Sequence, residues 1–211
     1  MIFISLDRST DSQTVALARD GVVVASKVFE SSDSRSADWP LKVRSFLQEN
    51  ALRCGDVDSF LVGQGPGSFA GIRAALAFAQ GLALPAGKKV TGLPSAAGLT
   101  DKEGKLAVVG DARRDRFWIV LYEGGKMVRD FALVSGDEIY SSVPEDFKVT
   151  TPDGARMDKR LADLFGERYV GARKPDALRL AEAAIEFPEA VKDEPLPLYL
   201  QPAVRPPENK N

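Results

Sequence analysis

Two similar α/β lobes are what this 211-residue sequence predicts. Two observations carry that reading. The order strand, strand, strand, helix, strand, helix can be followed twice along the chain, as expected of a duplicated unit. The first strand of each pass also ends in an aspartate, Asp7 and Asp111. The expected division is residues 1–103 for the first lobe, 104–201 for a smaller second lobe, and a proline-rich polar tail over 202–211.

The first pass opens with a meander. Ile2, Ile4 and Leu6 alternate with Phe3 and Ser5, Thr14 to Ala18 forms a second run, and Val22 to Phe29 a third. Asp20-Gly21 between the last two is a hairpin signal. After a polar loop over Ser31 to Ser36, Trp39, Val43, Phe46 and Leu47 share one face of a 3.6-residue period, with Pro40 suited to the first turn and Gly55 to the stop. Val57 to Val62 reads as a short strand. Gly63-Gln64-Gly65-Pro66-Gly67-Ser68 follows, and Ser68 can cap a helix running to about Leu84, closed by Pro85 and Gly87. Val90 to Gly92 is a further strand.

The second pass begins with Leu106 to Val109, ending in Gly110-Asp111. Arg116 to Tyr122 and Met127 to Val134 form a hairpin around Glu123-Gly124-Gly125-Lys126. A short helix is expected over Gly136 to Ser142, a strand over Phe147 to Thr151, and helices over Asp158 to Phe165 and Pro175 to Ile185. Leu178, Ala181 and Ile185 share a face of the last one.

Composition narrows the function. Hydrophobic residues are 44% and charged residues 27%, ordinary for a globular protein. Lys+Arg number 28 against 30 Asp+Glu, a net charge of -2, with no basic stripe. Tight tRNA binding by this chain alone is therefore not expected, since phosphate neutralisation needs clustered cations. The single cysteine, Cys54, permits no intramolecular disulfide and fits a reducing cytoplasm. The opening run has no signal-peptide character, and no segment is expected to reach the roughly 20 apolar residues of a membrane span. There is no histidine. That removes the Ser-His-Asp and Cys-His triads and the commonest metal ligand, so no metal site is expected.

Three segments could carry chemistry. Asp7-Arg8-Ser9-Thr10 sits in the bend after the first strand, where a carboxylate can hold magnesium while hydroxyls and turn amides take phosphate oxygens. The other reading is a solvated turn, where the same residue types are common. The Gly63–Ser68 loop enters a helix N-terminus, a place for an anion. It lacks the Gly-Lys-Ser/Thr of a P-loop, and its glycines equally suit a tight strand-to-helix turn. The candidate nucleotide residues are thus Asp7, Ser9, Thr10, Gly65, Gly67 and Ser68, and no residue is assigned a catalytic role. Asp111-Ala112-Arg113-Arg114-Asp115-Arg116 is dense in charge and suits a partner or phosphate contact better than catalysis.

The helix after the glycine loop is apolar on both sides. Ile72, Leu76, Ala79 and Ala83 suit a sheet, while Ala70, Ala74, Ala77 and Gly81 line the other face, with Phe78 beside them. Such a helix should be buried on both sides. The second face can pack on the Trp39–Leu47 helix, be spare for a partner, or do both.

These segments resemble the TsaB/YeaZ family. Phe3-Ile4-Ser5-Leu6-Asp7-Arg8-Ser9-Thr10 with Val15-Ala16-Leu17 is similar to its opening. Val62-Gly63-Gln64-Gly65-Pro66-Gly67-Ser68-Phe69-Ala70-Gly71-Ile72-Arg73, continued by Gln80-Gly81-Leu82-Ala83, resembles its hallmark loop and helix. Asp111-Ala112-Arg113-Arg114 and Pro197-Leu198-Tyr199-Leu200 resemble later segments. The sequence departs at Ser34 to Leu41, where the family often shows a His-Ser-Glu stretch and a Leu-Leu-Pro helix entry.

The resemblance implies an α/β, two-lobe actin-like or Hsp70-like fold, a ribonuclease H-like duplication with mixed sheets flanked by helices. It implies a catalytically silent, cytoplasmic accessory subunit for N6-threonylcarbamoyladenosine formation at position 37 of tRNA. Its partners would be a TsaD-type catalytic subunit, a TsaE-type ATPase in a larger complex, and a second copy of itself when alone. tRNA would be met only through the complex, and no membrane is implied. No cofactor is required by the chain, with ATP or ADP possible at the interface with the catalytic subunit. The implied partner-binding residues are Trp39, Val43, Phe46, Leu47, Ala70, Arg73, Ala74, Ala77, Phe78, Gly81, Arg113 and Arg114. The alternatives are a stand-alone small-molecule kinase or ATPase of the same fold and, for the older glycoprotease-like or peptidase M22 label, a metallopeptidase whose ligands are missing.

Overall fold

The structure, a computed structural model, describes residues 1–29 and 38–200. The expected polar loop over 31–36, the first half of the departure at 34–41 and the tail over 202–211 lie outside the described residues.

Strands β1 (Ile2–Asp7), β2 (Gln13–Arg19) and β3 (Val22–Phe29) form the meander. Asp20 and Gly21 sit at φ 51° and 80°, the left-handed pair that a two-residue hairpin needs. Helix α1 (Trp39–Glu49) follows with proline in its first turn, then β4 (Ser59–Gly63), α2 (Phe69–Ala83) and β5 (Lys89–Leu93). The second pass comprises β6 (Lys105–Arg113), β7 (Arg116–Glu123), β8 (Lys126–Ser135), α3 (Ile139–Ser142), β9 (Lys148–Thr151), α4 (Gly154–Phe165) and β10 (Tyr169–Ala172). Helix α5 (Ala177–Glu186) and strand β11 (Lys192–Asp193) end the regular structure.

Each sheet has the same order. The first runs β11-β5-β4-β1-β2-β3 and the second β10-β9-β6-β7-β8. In each, the first strand of the pass pairs antiparallel with the next, and parallel with the strand that follows the helix. A parallel neighbour needs a crossover, and α1 and α3 provide it.

Three cores alternate with the sheets. The outer face of the first sheet packs on α1 and α2 through Ile4, Leu6, Phe60 and Ile72. The outer face of the second packs on α3 and α4 through Ile119, Ile139 and Leu161. Between the sheets lies α5, with Ala177, Leu180 and Ala181 against Phe3, Ala16, Val108 and Val120. This corrects the expected second lobe of 104–201. From Ala177 onward the chain returns to the first sheet, with α5 on its inner face and β11 on its edge. β10 was not expected. Its four residues contain Gly171 at φ 85°, and although half-buried and exposed positions alternate, none of the four is buried.

Candidate functional site

The bend after β1 and the loop before α2 are pressed together. Asp7 is 1% exposed, and its Oδ1 accepts from the Ser9 amide at 2.8 Å and the Ser9 hydroxyl at 2.7 Å. Oδ2 faces Ser95 Oγ without a hydrogen bond of ordinary geometry. Burial pushes the Asp7 carboxyl upward, opposed by the Ser95 and Ser9 hydroxyls and the Ser9 amide. Arg8 is also buried, with its guanidinium 4.7 Å from the centre of the Trp39 ring, and desolvation draws its pKa down. The Ser12 amide donates to the half-buried Thr10 hydroxyl at 3.2 Å.

Gly63 to Gly71 wraps this bend. The Gly65 amide donates to Ser95 Oγ at 2.9 Å and the Ser95 amide to the Gly65 carbonyl at 2.8 Å. The Gly65-Pro66 bond is cis. The Ser68 amide donates to the Ser9 carbonyl at 2.6 Å, and Ser68 Oγ caps α2 by accepting from Gly71. A Cβ on Gly67 would lie 2.1 Å from the Ser9 carbonyl oxygen, and one on Gly71 equally close, 2.1 Å, to that of Arg8. Gly65 has φ 91°, in the left-handed region. Gly67 and Gly71 serve contact of backbone on backbone. In the nucleotide reading of Asp7, Ser9, Thr10, Gly65, Gly67 and Ser68 the turn amides would take phosphate oxygens, and here the amides of Ser9, Gly65, Ser68 and Gly71 have acceptors within the chain. The space beside Gly67 and Gly71 is taken by the Ser9 and Arg8 carbonyls, and that beside Gly65 by the Ile72 side chain.

Helix α2 has the two faces read from sequence. Ile72, Ala75, Leu76, Ala79 and Ala83 are buried. Ala70, Arg73, Ala74, Ala77 and Gly81 are exposed, flanked by Phe69 at 49% and Leu84 at 83%. Phe78 is half-buried, its ring 4.9 Å from that of Trp39. The helix with its final turn, Phe69–Ala86, spans 18 residues and is apolar enough to cross a membrane by length and composition alone, which narrows the sequence expectation. Its buried face belongs to the core of the first sheet.

Trp39, Val43, Phe46 and Leu47 were expected at a partner surface, and this is corrected. All four are buried at 1–2% exposure in the core beneath α1. One apolar stripe on a helix reads the same from sequence whether it meets its own sheet or another protein. Leu41 is the large apolar side chain that α1 leaves exposed.

Arg113 and Arg114 lie at the exposed β6–β7 turn, where Arg113, Arg114 and Asp115 have φ of 69°, 56° and 53°. The Arg113 amide donates to Asp111 Oδ1 at 2.7 Å. The sequence marks Pro197 to Leu200 by resemblance alone and does not say where the segment after β11 packs. Pro195 packs where a Gly92 side chain would sit, Gln64 Nε2 donates to the Leu196 carbonyl at 2.8 Å, and the Leu198 amide donates to the Gln64 carbonyl at 2.8 Å. Among the described residues, no three His, Cys, Asp or Glu side chains group as metal ligands.

Known proteins share this arrangement. The family model described as "TsaD: tRNA N6-adenosine threonylcarbamoyltransferase" matches residues 30–194. The "tRNA threonylcarbamoyladenosine biosynthesis protein TsaB" of Escherichia coli (strain K12) is 30% identical over 129 residues, 58% of this chain and 55% of that protein. The chain thus spans about half the length of the curated relatives it matches. Among solved structures, a Pseudomonas aeruginosa protein described as similar to peptidase YeaZ superposes with a TM-score of 0.75 at 22% identity, covering 95% of this chain and 99% of that one. The ethanolamine utilization protein EutJ of Carboxydothermus hydrogenoformans superposes at 0.50 with 12% identity, covering 87% and 90%, and shares the two-lobe actin-like fold.

Proposed function

The chain belongs to the TsaB/YeaZ family, and from that premise we propose that it takes part in tRNA threonylcarbamoyladenosine biosynthesis as a non-catalytic, cytoplasmic accessory subunit that docks and activates a TsaD-type catalytic subunit. The observation that carries the docking reading is the exposed face of α2. Ala70, Ala74, Ala77 and Gly81, with Phe69 and Leu84 at its ends, leave an apolar helix surface in solvent. Small side chains there let a second helix approach closely, and water is displaced from apolar surface when it does.

Catalytic silence is part of the proposal. The sequence has no histidine, so no imidazole serves as base or ligand. The stand-alone kinase or ATPase reading needs a phosphate cradle, and of the glycines that would build it Gly67 is pressed on Ser9 and Gly65 on the Ile72 side chain. Any ATP or ADP would sit at the interface with the catalytic subunit, a TsaE-type ATPase would join the larger complex, and tRNA would be met through the complex.

The test is co-purification with the TsaD-type subunit of the same genome, beside an ATPase assay of the chain alone. The expected result is a stable complex and no useful turnover by the chain. Ala77→Trp should weaken the complex by about tenfold to a hundredfold, the cost of overpacking a close contact, while circular dichroism stays unchanged. A chain that hydrolyses ATP alone and ignores the catalytic subunit sinks the proposal.

A further inference from the structure

Phe69, Arg73 and Tyr199 form an exposed stack built from two distant parts of the chain. The rings of Phe69 and Tyr199 lie 5.1 Å apart at 21°, and the Arg73 guanidinium lies 5.1 Å from the centre of the Phe69 ring. Phe69 is 49% and Tyr199 46% exposed, a large apolar area to leave in water. Tyr199 does not reach this place by chance. β11 pairs with β5, Pro195 fills the space beside Gly92, and Gln64 grips Leu196 and Leu198 with two hydrogen bonds of 2.8 Å. The segment is thereby fixed one residue before the ring, and the stack is held before any partner arrives.

The charge of the stack is as informative as its rings. Arg73 is the only charged residue in the 15-residue helix α2. It lies over the Phe69 ring, and among the described residues no ion pair joins it to a carboxylate. An apolar partner laid over this face would bury an uncompensated cation, which is costly. A partner carrying one carboxylate at that point removes the cost, and a guanidinium placed over a ring keeps N–H groups free to form a two-pronged pair.

We propose that the Arg73–Phe69–Tyr199 stack is the anchor of the docking face, and that the partner surface it fits is an apolar helix carrying a single Asp or Glu opposite Arg73. This rests on the docking reading above and names the chemistry of the partner at that site. Aromatic and arginine side chains held in place are the residue types that dominate interface energetics.

The experiment measures the dissociation constant for the TsaD-type subunit of the same genome. Arg73→Glu should weaken binding at least about thirtyfold, because it sets two carboxylates against each other, and changing the facing partner carboxylate to Lys should restore it. Tyr199→Ala should weaken binding about tenfold, and Arg73→Gln should flatten the salt dependence. Both side chains are exposed, so the far-ultraviolet circular dichroism should match the parent. If either variant misfolds, Arg73→Gln and Tyr199→Leu carry the same comparison. Parent-like affinity in the Arg73 and Tyr199 variants overturns the anchor while leaving the docking reading intact. Failure of the parent chain itself to bind overturns the docking reading.

Discussion

The same turn is built twice in this chain, and the two copies are held in different ways. In both passes an aspartate at or near the end of the first strand accepts the amide two residues on: Asp7 from Ser9 at 2.8 Å, Asp111 from Arg113 at 2.7 Å. In both, the connection that enters the next helix grips this bend. In the first pass the grip is main chain to main chain, from the Ser68 amide to the Ser9 carbonyl. In the second it is a side chain, Asp153 Oδ2, accepting from the Asp111 amide at 2.8 Å. A main-chain grip needs close approach and tolerates no Cβ, which is why glycines crowd one connection and not the other. The first bend is consequently buried and the second exposed.

The largest effect should come from breaking the tighter grip. Gly67→Val places a Cβ about 2.1 Å from the Ser9 carbonyl oxygen and should destabilise the protein by more than about 3 kcal/mol, through steric displacement of the bend. Asp153→Ala removes one hydrogen bond and an exposed ion pair with Arg156, and should cost about 1–2 kcal/mol. Urea denaturation of both variants checks the ranking. Equal losses would show that the two grips are equivalent and the comparison false.

The second prediction concerns the charge of the bend. Burial holds the Asp7 carboxyl above its ordinary value of 3.8, so the folded state binds the proton more tightly than the unfolded chain. Stability should then fall as pH rises from 3.8 through the raised value, and the deficit should persist above it. Asp7→Asn keeps an acceptor for the Ser9 amide and can donate toward Ser95. It should raise the melting temperature at neutral pH and flatten that stretch of the pH profile. Thermal melts between pH 4 and 8 decide it, and an Asp7→Asn protein that melts lower than the parent at neutral pH contradicts the argument.

Much of this architecture was legible in the sequence because it is local. Alternation gave the meander, a 3.6-residue stripe gave α1, and Asp20-Gly21 gave the first hairpin, whose torsions are those expected. The repeat was visible because both passes preserve their order and their aspartates. What was not legible depends on distant neighbours. The stripe of Trp39, Val43, Phe46 and Leu47 specifies burial but not against which surface, and it turned out to be this chain's own core. Helix α5 reads as amphipathic through Leu178, Ala181 and Ile185, whereas Ala177, Leu180, Ala181 and Ala183 are the residues buried, because nothing local says that it lies between the two sheets. The stack of Tyr199 on Phe69 joins residues far apart in sequence and leaves no periodic trace. The glycines of 63–71 signalled close approach, but what approaches them is the bend at Arg8 and Ser9.

The smallest expected effect sharpens the other side of the comparison, the loosely held second bend. Arg113 pairs with Arg116 across the hairpin, so Arg114 and Asp115 form its two-residue loop. Both have positive φ, 56° and 53°, as does Arg113 at 69°. Left-handed backbone costs an ordinary side chain about 1–2 kcal/mol, whereas asparagine and glycine adopt it readily, and a two-residue loop of this hand favours Asn-Gly. The ion pair from Asp115 to Arg160 spans 3.8 Å with the carboxylate 80% exposed, so losing it costs little. The double change Arg114→Asn with Asp115→Gly should therefore stabilise the protein by about 1–2 kcal/mol, a rise of a few degrees in melting temperature for a chain of this size. The measurement is a thermal melt of the double variant beside the parent, repeated as a binding assay with the TsaD-type subunit. A more stable protein with weakened binding would mean that the strained arginine turn is held for contact with the partner. A more stable protein with parent-like affinity would leave the strain as a local feature of an exposed hairpin. No gain in stability would show that the turn is not strained, and that the second bend is held better than its exposure indicates.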